Sequence, residues 1–292
     1  FGMDAFFYLP HTCFVTACGL DDFETSMQAQ YQLTRRFTAE FSIRPFLQRY
    51  PQQTLERLRV WARDPDMHVR RLVSEGTRPR LPWAARLPGF IADPLPVLAL
   101  ALLEQLRDDP ELYVRRSVAN NLNDIGKDHP DLLNRVAADW MHGAGEERQW
   151  LIRHALRSAV KRGDPQALAV LGFDDSGHDL QITSARLTPE QVSEGQFVML
   201  EVSLTNPAQT PRSAVIDYQV HYIKADGRAR AKVFKIREVT LAAGEQIVLS
   251  RKISLAPMTT RKHYPGVHRV DLLVNGQVRP MGWFELVGYA GL

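Results

Sequence analysis

Asp64-Pro65-Asp66-Met67-His68-Val69-Arg70-Arg71-Leu72-Val73 and Asp109-Pro110-Glu111-Leu112-Tyr113-Val114-Arg115-Arg116-Ser117-Val118 are two copies of one pattern, 109 − 64 = 45 residues apart. A weaker copy is Leu151-Ile152-Arg153-His154-Ala155-Leu156. Upstream, Arg35-Arg36 stands where Arg70-Arg71 stand, 70 − 35 = 35 residues earlier. A period of this size marks stacked helical pairs, each too small to bury its apolar face alone.

The surrounding sequence agrees. Up to Phe173 apolar residues recur at helical spacing, as in Thr54-Leu55-Glu56-Arg57-Leu58-Arg59-Val60-Trp61 and in Leu98-Ala99-Leu100-Ala101-Leu102-Leu103-Glu104-Gln105-Leu106. Asp-Pro at 64, 93, 109 and 164 predicts four helix starts, with Asp capping the first turn and Pro at its first position. This half is expected to be a HEAT-like α-solenoid.

After Gly172-Phe173-Asp174-Asp175-Ser176-Gly177 the period changes to two. Val198, Leu200, Val202 and Leu204 alternate with polar neighbours, as do Ile216, Tyr218, Val220 and Tyr222, and then His268, Val270, Leu272 and Val274. Asp226-Gly227 and Asn275-Gly276 read as two-residue hairpin turns with positive φ at both central positions. About seven short strands without a helix suggest an immunoglobulin-like β-sandwich. The expected fold class is therefore multidomain α plus β: a solenoid over 1–173, a linker at 174–177 and a sandwich over 178–292.

Composition narrows the function. The 292 residues are 45% apolar and 24% charged with a net charge of +3, which excludes a disordered tail. Residues 1–173 hold 20 Arg and 2 Lys against 21 acidic groups, and 174–292 hold 14 basic and 12 acidic. Such a preference for Arg suits planar, bidentate recognition of phosphate or carboxylate. Cys13 and Cys18 are too few for a disulfide scaffold or a zinc site, which points to reduced thiols in a cytoplasmic protein. No apolar run is long enough to span a membrane. The start at Phe1-Gly2-Met3, without a basic signal region, suggests a fragment whose preceding residues were removed.

The acids follow the repeat. Arg35-Arg36-x-x-x-Glu40 and Arg70-Arg71-x-x-x-Glu75 are one motif; the third copy ends in Asn120 but gains Asp124 one turn later. If the copies stack, Glu40, Glu75 and Asp124 lie together on a face fringed by Arg. The plainer reading is that Arg36/Glu40 and Arg71/Glu75 are i,i+4 pairs on exposed helix surfaces. Both remain open from spacing alone.

Gly19-Leu20-Asp21-Asp22-Phe23, Arg35-Arg36-Phe37-Thr38-Ala39-Glu40-Phe41, Arg44-Pro45-Phe46-Leu47, Ser74-Glu75-Gly76-Thr77-Arg78-Pro79-Arg80-Leu81-Pro82-Trp83, Tyr113 to Asp124 and Lys127-Asp128-His129-Pro130 resemble the bacterial AlkC-type DNA glycosylases. These are relatives of AlkD, built from HEAT-like repeats, that remove cationic alkylated bases. The resemblance runs from about Phe6 to Phe173, and the sandwich resembles the immunoglobulin-like domain many members carry. Members usually have further N-terminal helices.

The resemblance implies that Glu40, Glu75 and Asp124 are the carboxylates at the lesion and Trp83 the aromatic beside them. A base alkylated at N3 is already cationic and leaves without a general acid. Fixed carboxylates would stabilise the oxocarbenium-like sugar and orient water. Trp83 could hold a cation by its ring face, or be a core Trp in a Pro-rich turn. Arg44, Arg78, Arg80, Arg115, Arg116, Arg153, Arg157 and Lys161 are the phosphate-gripping candidates, while His154 reads as a helix-surface or packing residue. In the sandwich Arg228, Arg230, Arg261 and Lys262 lie in two basic loops that are either solvated surface or a second DNA contact.

The expected activity is monofunctional hydrolysis of 3-methyladenine, 3-methylcytosine and 1-methyladenine from double-stranded DNA in base excision repair. The superfamily is thought to act without full base flipping. No metal or cofactor is implied, and Lys127 and Lys161, as the only lysines of the helical half, give no support for a Schiff base. The protein is expected to be a bacterial, nucleoid-associated monomer that does not bind membranes. Alternatives are a non-catalytic DNA-structure-binding protein, or a HEAT-type protein-interaction scaffold with exposed apolar anchors in its groove.

Overall fold

The computed structural model describes residues 3–99, 102–173, 177, 179–258 and 262–288. After a 3-10 turn (Met3–Tyr8) come α1 (Leu9–Cys18), α2 (Phe23–Thr34), α3 (Arg44–Arg49), α4 (Pro51–Trp61), α5 (Met67–Gly76) and α6 (Pro88–Ala92). Then follow α7 (Leu95–Ala99), α8 (Leu102–Leu106), α9 (Leu112–Ile125), α10 (Pro130–Met141), α11 (Glu146–Lys161) and α12 (Pro165–Val170). The strands are β1 (Gln181–Thr188), β2 (Gln191–Ser193), β3 (Phe197–Thr205), β4 (Arg212–Ile223), β5 (Ala229–Leu241), β6 (Gln246–Ser254), β7 (Gly266–Val274) and β8 (Gln277–Val287). The chain divides into two compact units, Phe1–Ser158 and Ala159–Leu292, so the end of α11 and α12 go with the strands.

In the first unit the two clearest copies become α5 and α9, which pack on each other. Val69, Leu72 and Val73 of α5 and Val114, Val118 and Leu122 of α9 are buried. The repeated Asp-Pro is a turn before the helix rather than its cap. Asp64 Oδ1 accepts from Asp66 N (2.8 Å) and Asp109 Oδ1 from Glu111 N (2.9 Å), so each helix starts two residues later than the Asp-Pro pair predicts, at Met67 and at Leu112. Only at Asp164 does the Asp cap as predicted, accepting from Ala167 N at 2.9 Å with Pro165 next to it.

The first Arg of each pair clamps that turn. Arg70 Nη1 donates to the carbonyls of Asp64 and Pro65, and Arg115 Nη1 to those of Asp109 and Pro110, six and five residues back in both cases. The motif thus repeats because one hydrogen-bonding solution repeats. Arg70 also grips Asp109 through two bonds of 2.6 and 3.0 Å, tying α5 to the start of the next copy.

In the second unit β1-β3-β6 form one sheet and β2-β8-β7-β4-β5 the other. The alternation read from sequence is borne out: Val198, Leu200, Val202, Leu204, Ile216, Tyr218, Val220, Tyr222, His268, Val270, Leu272 and Val274 are all buried between them. Asn275-Gly276 is the expected turn, with φ of 47° and 80°. There the chain also runs so close to Gly163 that a Cβ on Gly276 would lie 2.1 Å from the Gly163 Cα. At Asp226-Gly227 only Gly227 has positive φ, and Lys224 N to Arg228 O (3.0 Å) closes a longer loop than predicted. Leu168 and Phe173 pack on Val215, covering part of the outer face of the larger sheet.

On that face Asp217 is buried with Oδ1 lacking a hydrogen-bond partner. Burial pushes its pKa up to about 6, with Lys235 and Lys161 opposing and Glu238 adding to the rise. A carboxyl raised in the folded state binds protons there that the unfolded chain has lost, so stability from this group falls as pH rises from about 4 to 6. Asp217→Asn is therefore expected to stabilise the second unit by about 2 kcal/mol at pH 7 and by almost nothing below pH 4. Urea unfolding followed on the sandwich at both pH values checks this.

Candidate active site

The carboxylates singled out by the repeat are joined through arginines from other copies. Glu40 lies in the turn before α3, and its Oε2 accepts from Arg71 Nη1 and from Thr38 Oγ1 at 3.1 Å. Arg71 comes from α5, so this pair ties one copy to the next instead of stapling a single helix. The expected i,i+4 contact of Arg71 with Glu75 is the looser one, at 3.6 Å. Glu75 on α5 accepts from Arg78 Nη1 on Oε1 and from Ser117 Oγ on Oε2, both at 2.6 Å. Asp124 on α9 accepts from Arg78 Nε at 2.8 Å and from Lys127 Nζ at 2.7 Å. The result is one run of alternating charge, Glu40–Arg71–Glu75–Arg78–Asp124–Lys127.

Burial grades along this run. Asp124 is 1% exposed and Glu75 5%, whereas Glu40 reaches the surface. Among the described residues nothing donates to Glu40 Oε1. Arg78 is itself buried; desolvation pulls its pKa down, but Glu75 and Asp124 outweigh this and leave it raised. Arg71 also lies over the ring of Tyr113, 5.3 Å from its centroid. Crowding around that ring, with Glu40 and Glu75 adding negative charge, pushes the Tyr113 hydroxyl pKa up against the pull of Arg71.

Residues 77–87 leave the end of α5 as a braced loop. Arg44, at the start of α3, is 3% exposed and donates to the carbonyls of Gly76 (3.1 Å), Arg78 (2.8 Å) and Ala85 (3.0 and 2.6 Å). Burial, together with the Arg78 charge nearby, lowers its pKa to about 10. Leu87 N closes the loop onto Pro79 O at 3.1 Å, and Arg80 forks onto Asp128 at 2.8 and 2.6 Å. Out of this frame stands Trp83, 98% exposed and at φ +60°. A bulky residue at positive φ is strained by the order of 1–3 kcal/mol, and an exposed indole returns nothing to folding. The core-Trp reading is wrong.

A third group flanks Asp124. Asn120, one turn earlier on α9, accepts on Oδ1 from Arg157 Nη2 (3.0 Å) and meets His154 Nε2 (3.3 Å), both from α11. His154 stacks on Trp150 with ring centroids 5.1 Å apart. Burial, with Arg157 and Arg116 adding positive charge, lowers its pKa to about 4, so it is neutral at pH 7. Arg157 feels the Asp124 and Arg78 charges, and burial lowers its pKa.

The matches to known proteins fall on this frame. A family model described as DNA alkylation repair enzyme matches residues 37–162, and one described as the C-terminal Ig-like domain of the uncharacterised protein YhaZ matches 181–288. YhaZ of Bacillus subtilis (strain 168) is 40% identical over 266 residues, 91% of this chain and 73% of its own. The alkylpurine DNA glycosylase AlkC of Pseudomonas fluorescens, solved bound to DNA containing an abasic site analog, superimposes with a TM-score of 0.89 at 40% identity, over 97% of this chain and 78% of AlkC. The chain belongs to the AlkC-type DNA alkylation repair family.

In this AlkC-type chain, Glu40, Glu75, Trp83 and Asp124 all fall within the matched span 37–162. The Arg set expected at phosphates divides. Arg44 and Arg115 are buried and hold backbone carbonyls, so their guanidinium groups serve the loop and the Asp-Pro turn. Arg78 is buried between Glu75 and Asp124, and Arg80 is engaged by Asp128. Arg116 and Arg153 are exposed, and Arg157 is half-buried. Lys161 falls in the second unit, where its charge acts on Asp217. Arg228, Arg230 and Lys262 are exposed in the sandwich, while Arg261 lies outside the described residues.

Arg71, Ser117, Tyr113 and Lys127 are the site residues sequence reasoning did not single out for it. Arg71 stood out as the second Arg of its pair, and Tyr113, Ser117 and Lys127 lay within the stretches that carry the family resemblance. Among the described residues no cluster of His, Cys, Asp and Glu could hold a metal, and no helix is long and apolar enough to cross a membrane.

Proposed function

We propose that this chain hydrolyses the N-glycosidic bond of cationic alkylated bases in double-stranded DNA, among them 3-methyladenine, 3-methylcytosine and 1-methyladenine, leaving an abasic site. The observation that carries this reading is the pairing of a fixed carboxylate run with a braced, strained and fully exposed Trp83. A cationic base departs neutral, taking the electron pair of its bond to C1′. The barrier is the positive charge that develops on the sugar, and preorganised carboxylates stabilise it without reorganising.

Glu40 is the acid that meets the reacting sugar, its open Oε1 orienting the water that adds to C1′ and accepting its proton. Glu75 and Asp124, buried behind it, set the field and hold Arg71 and Arg78 in place. Trp83 lies against the cationic lesion by its ring face. Because it projects into solvent rather than lining a cavity, the base need not be fully extruded. Exposed Arg116, Arg153, Arg228, Arg230 and Lys262 supply phosphate contacts, which makes binding fall steeply with salt. The reaction so drawn uses no cofactor.

The test is release of free methylated bases from methylated duplex DNA, read by chromatography. Wild type is expected to release them, and absence of any release contradicts the proposal. Trp83→Gly is expected to slow release about tenfold while keeping or raising thermal stability, since Gly relieves the positive φ. A drop in melting temperature with unchanged release would assign Trp83 a structural role instead.

A further inference from the structure

Asn120 breaks the repeat. It stands where the other copies carry Glu40 and Glu75, one turn before Asp124 on α9. Arg157 has only donors, so the side-chain atom it meets at 3.0 Å must be the Asn120 oxygen. His154, a neutral imidazole, then presents its Nε2 hydrogen to the same oxygen at 3.3 Å. With Oδ1 committed twice, Nδ2 is the atom turned away from α11. Asn120 is half-buried, and among the described residues Nδ2 donates to nothing. One turn from Asp124 the site thus carries one neutral, oriented donor at a position where the repeat has an acid.

We propose that Asn120 reads the lesion base, donating from Nδ2 to the acceptor atom two bonds from the glycosidic nitrogen. This rests on the glycosylase reading above. In 3-methylcytosine that acceptor is the O2 carbonyl, and in 1-methyladenine it is the unalkylated N3 lone pair. In 3-methyladenine the same place carries the methyl group and accepts nothing. Asn120 therefore favours the first two lesions over the third. An acid at this position would strengthen attraction for every cation alike and would not distinguish them; an amide held by Arg157 and His154 distinguishes them by hydrogen bonding.

The experiment is single-turnover release from three duplexes, each with one of these lesions, by wild type, Asn120→Asp and Asn120→Leu. Asp keeps the acceptor for Arg157 and His154 but loses the donor; Leu loses both. For each variant the rates for 3-methylcytosine and 1-methyladenine, taken relative to 3-methyladenine, are expected to fall about five- to tenfold. A structural role would move all three lesions together, and equal changes overturn the proposal. Melting temperature and affinity for undamaged duplex are measured alongside, and a lesion-selective change at unchanged stability supports it. Release of none of the three bases by wild type defeats the glycosylase reading itself; release with unaltered selectivity in the variants defeats only the role of Asn120.

Discussion

Glu40→Gln is expected to slow base release by about 10²–10³-fold, the range seen when one preorganised electrostatic contact to a transition state is removed. The amide still accepts from Arg71 and Thr38 through its oxygen, so the link between copies survives and the melting temperature should stay near that of wild type. What is lost is the charge on the open Oε1, which the proposed mechanism sets against the sugar. Asp124→Asn behaves differently, because Asp124 is buried against Arg78 and Lys127. That change is expected to lower both the rate and the stability. Single-turnover release and thermal melting on the same preparations separate the two patterns. A Glu40→Gln protein that releases bases at the wild-type rate would remove Glu40 from the chemistry.

Arg78→Met carries the largest expected effect on stability. The guanidinium bridges Glu75 and Asp124, and Met fills similar space with no charge, leaving two buried carboxylates short of a partner. Breaking a buried pair in this way costs about 3–5 kcal/mol. Lys127 still reaches Asp124 Oδ1, so Glu75 takes most of the burden, with Ser117 and the distant Arg71 left to it. Arg78→Lys should recover little, since one ammonium cannot reproduce the planar fork that meets Asp124 through Nε and Glu75 through Nη1. Amide hydrogen exchange reads the outcome by region. Protection is expected to drop along α5 and α9 while strands β3, β4 and β7 keep theirs. Unchanged protection in α5 would show that the charge run contributes no stability.

The sandwich was legible in the sequence because alternation with period two maps directly onto faces, as Val198 to Leu204 and His268 to Val274 illustrate. The helical repeat was legible for a related reason: the same residues solve the same turn at Asp64 and Asp109. The meaning of the arginines was not. Arg115 reads as a phosphate-gripping candidate, yet its Nη1 closes a turn within its own copy, as that of Arg70 does. Glu40 reads as the partner of Arg36, yet it meets Arg71 from the next copy, a contact that exists only after the copies stack. Arg44 reads as a phosphate-gripping candidate, yet it is buried against backbone carbonyls, because nothing in Arg44-Pro45-Phe46 marks which carbonyls of a distant Pro-rich loop need donors. The exposure of Trp83 was equally hidden, since Pro79 and Pro82 fit either a buried corner or a braced projection.

The central claim is that the Glu40–Glu75–Asp124 run drives hydrolysis of the bond between a cationic base and its sugar. The most direct measurement incubates wild-type protein with a duplex carrying one 3-methylcytosine and follows every product by mass spectrometry. The account predicts free 3-methylcytosine in equal amount to a full-length strand with one abasic site, its C1′ hydroxyl drawn from labelled water. Tight binding of that duplex with the lesion strand intact would contradict it and leave a protein that recognises alkylated DNA without cutting the glycosidic bond.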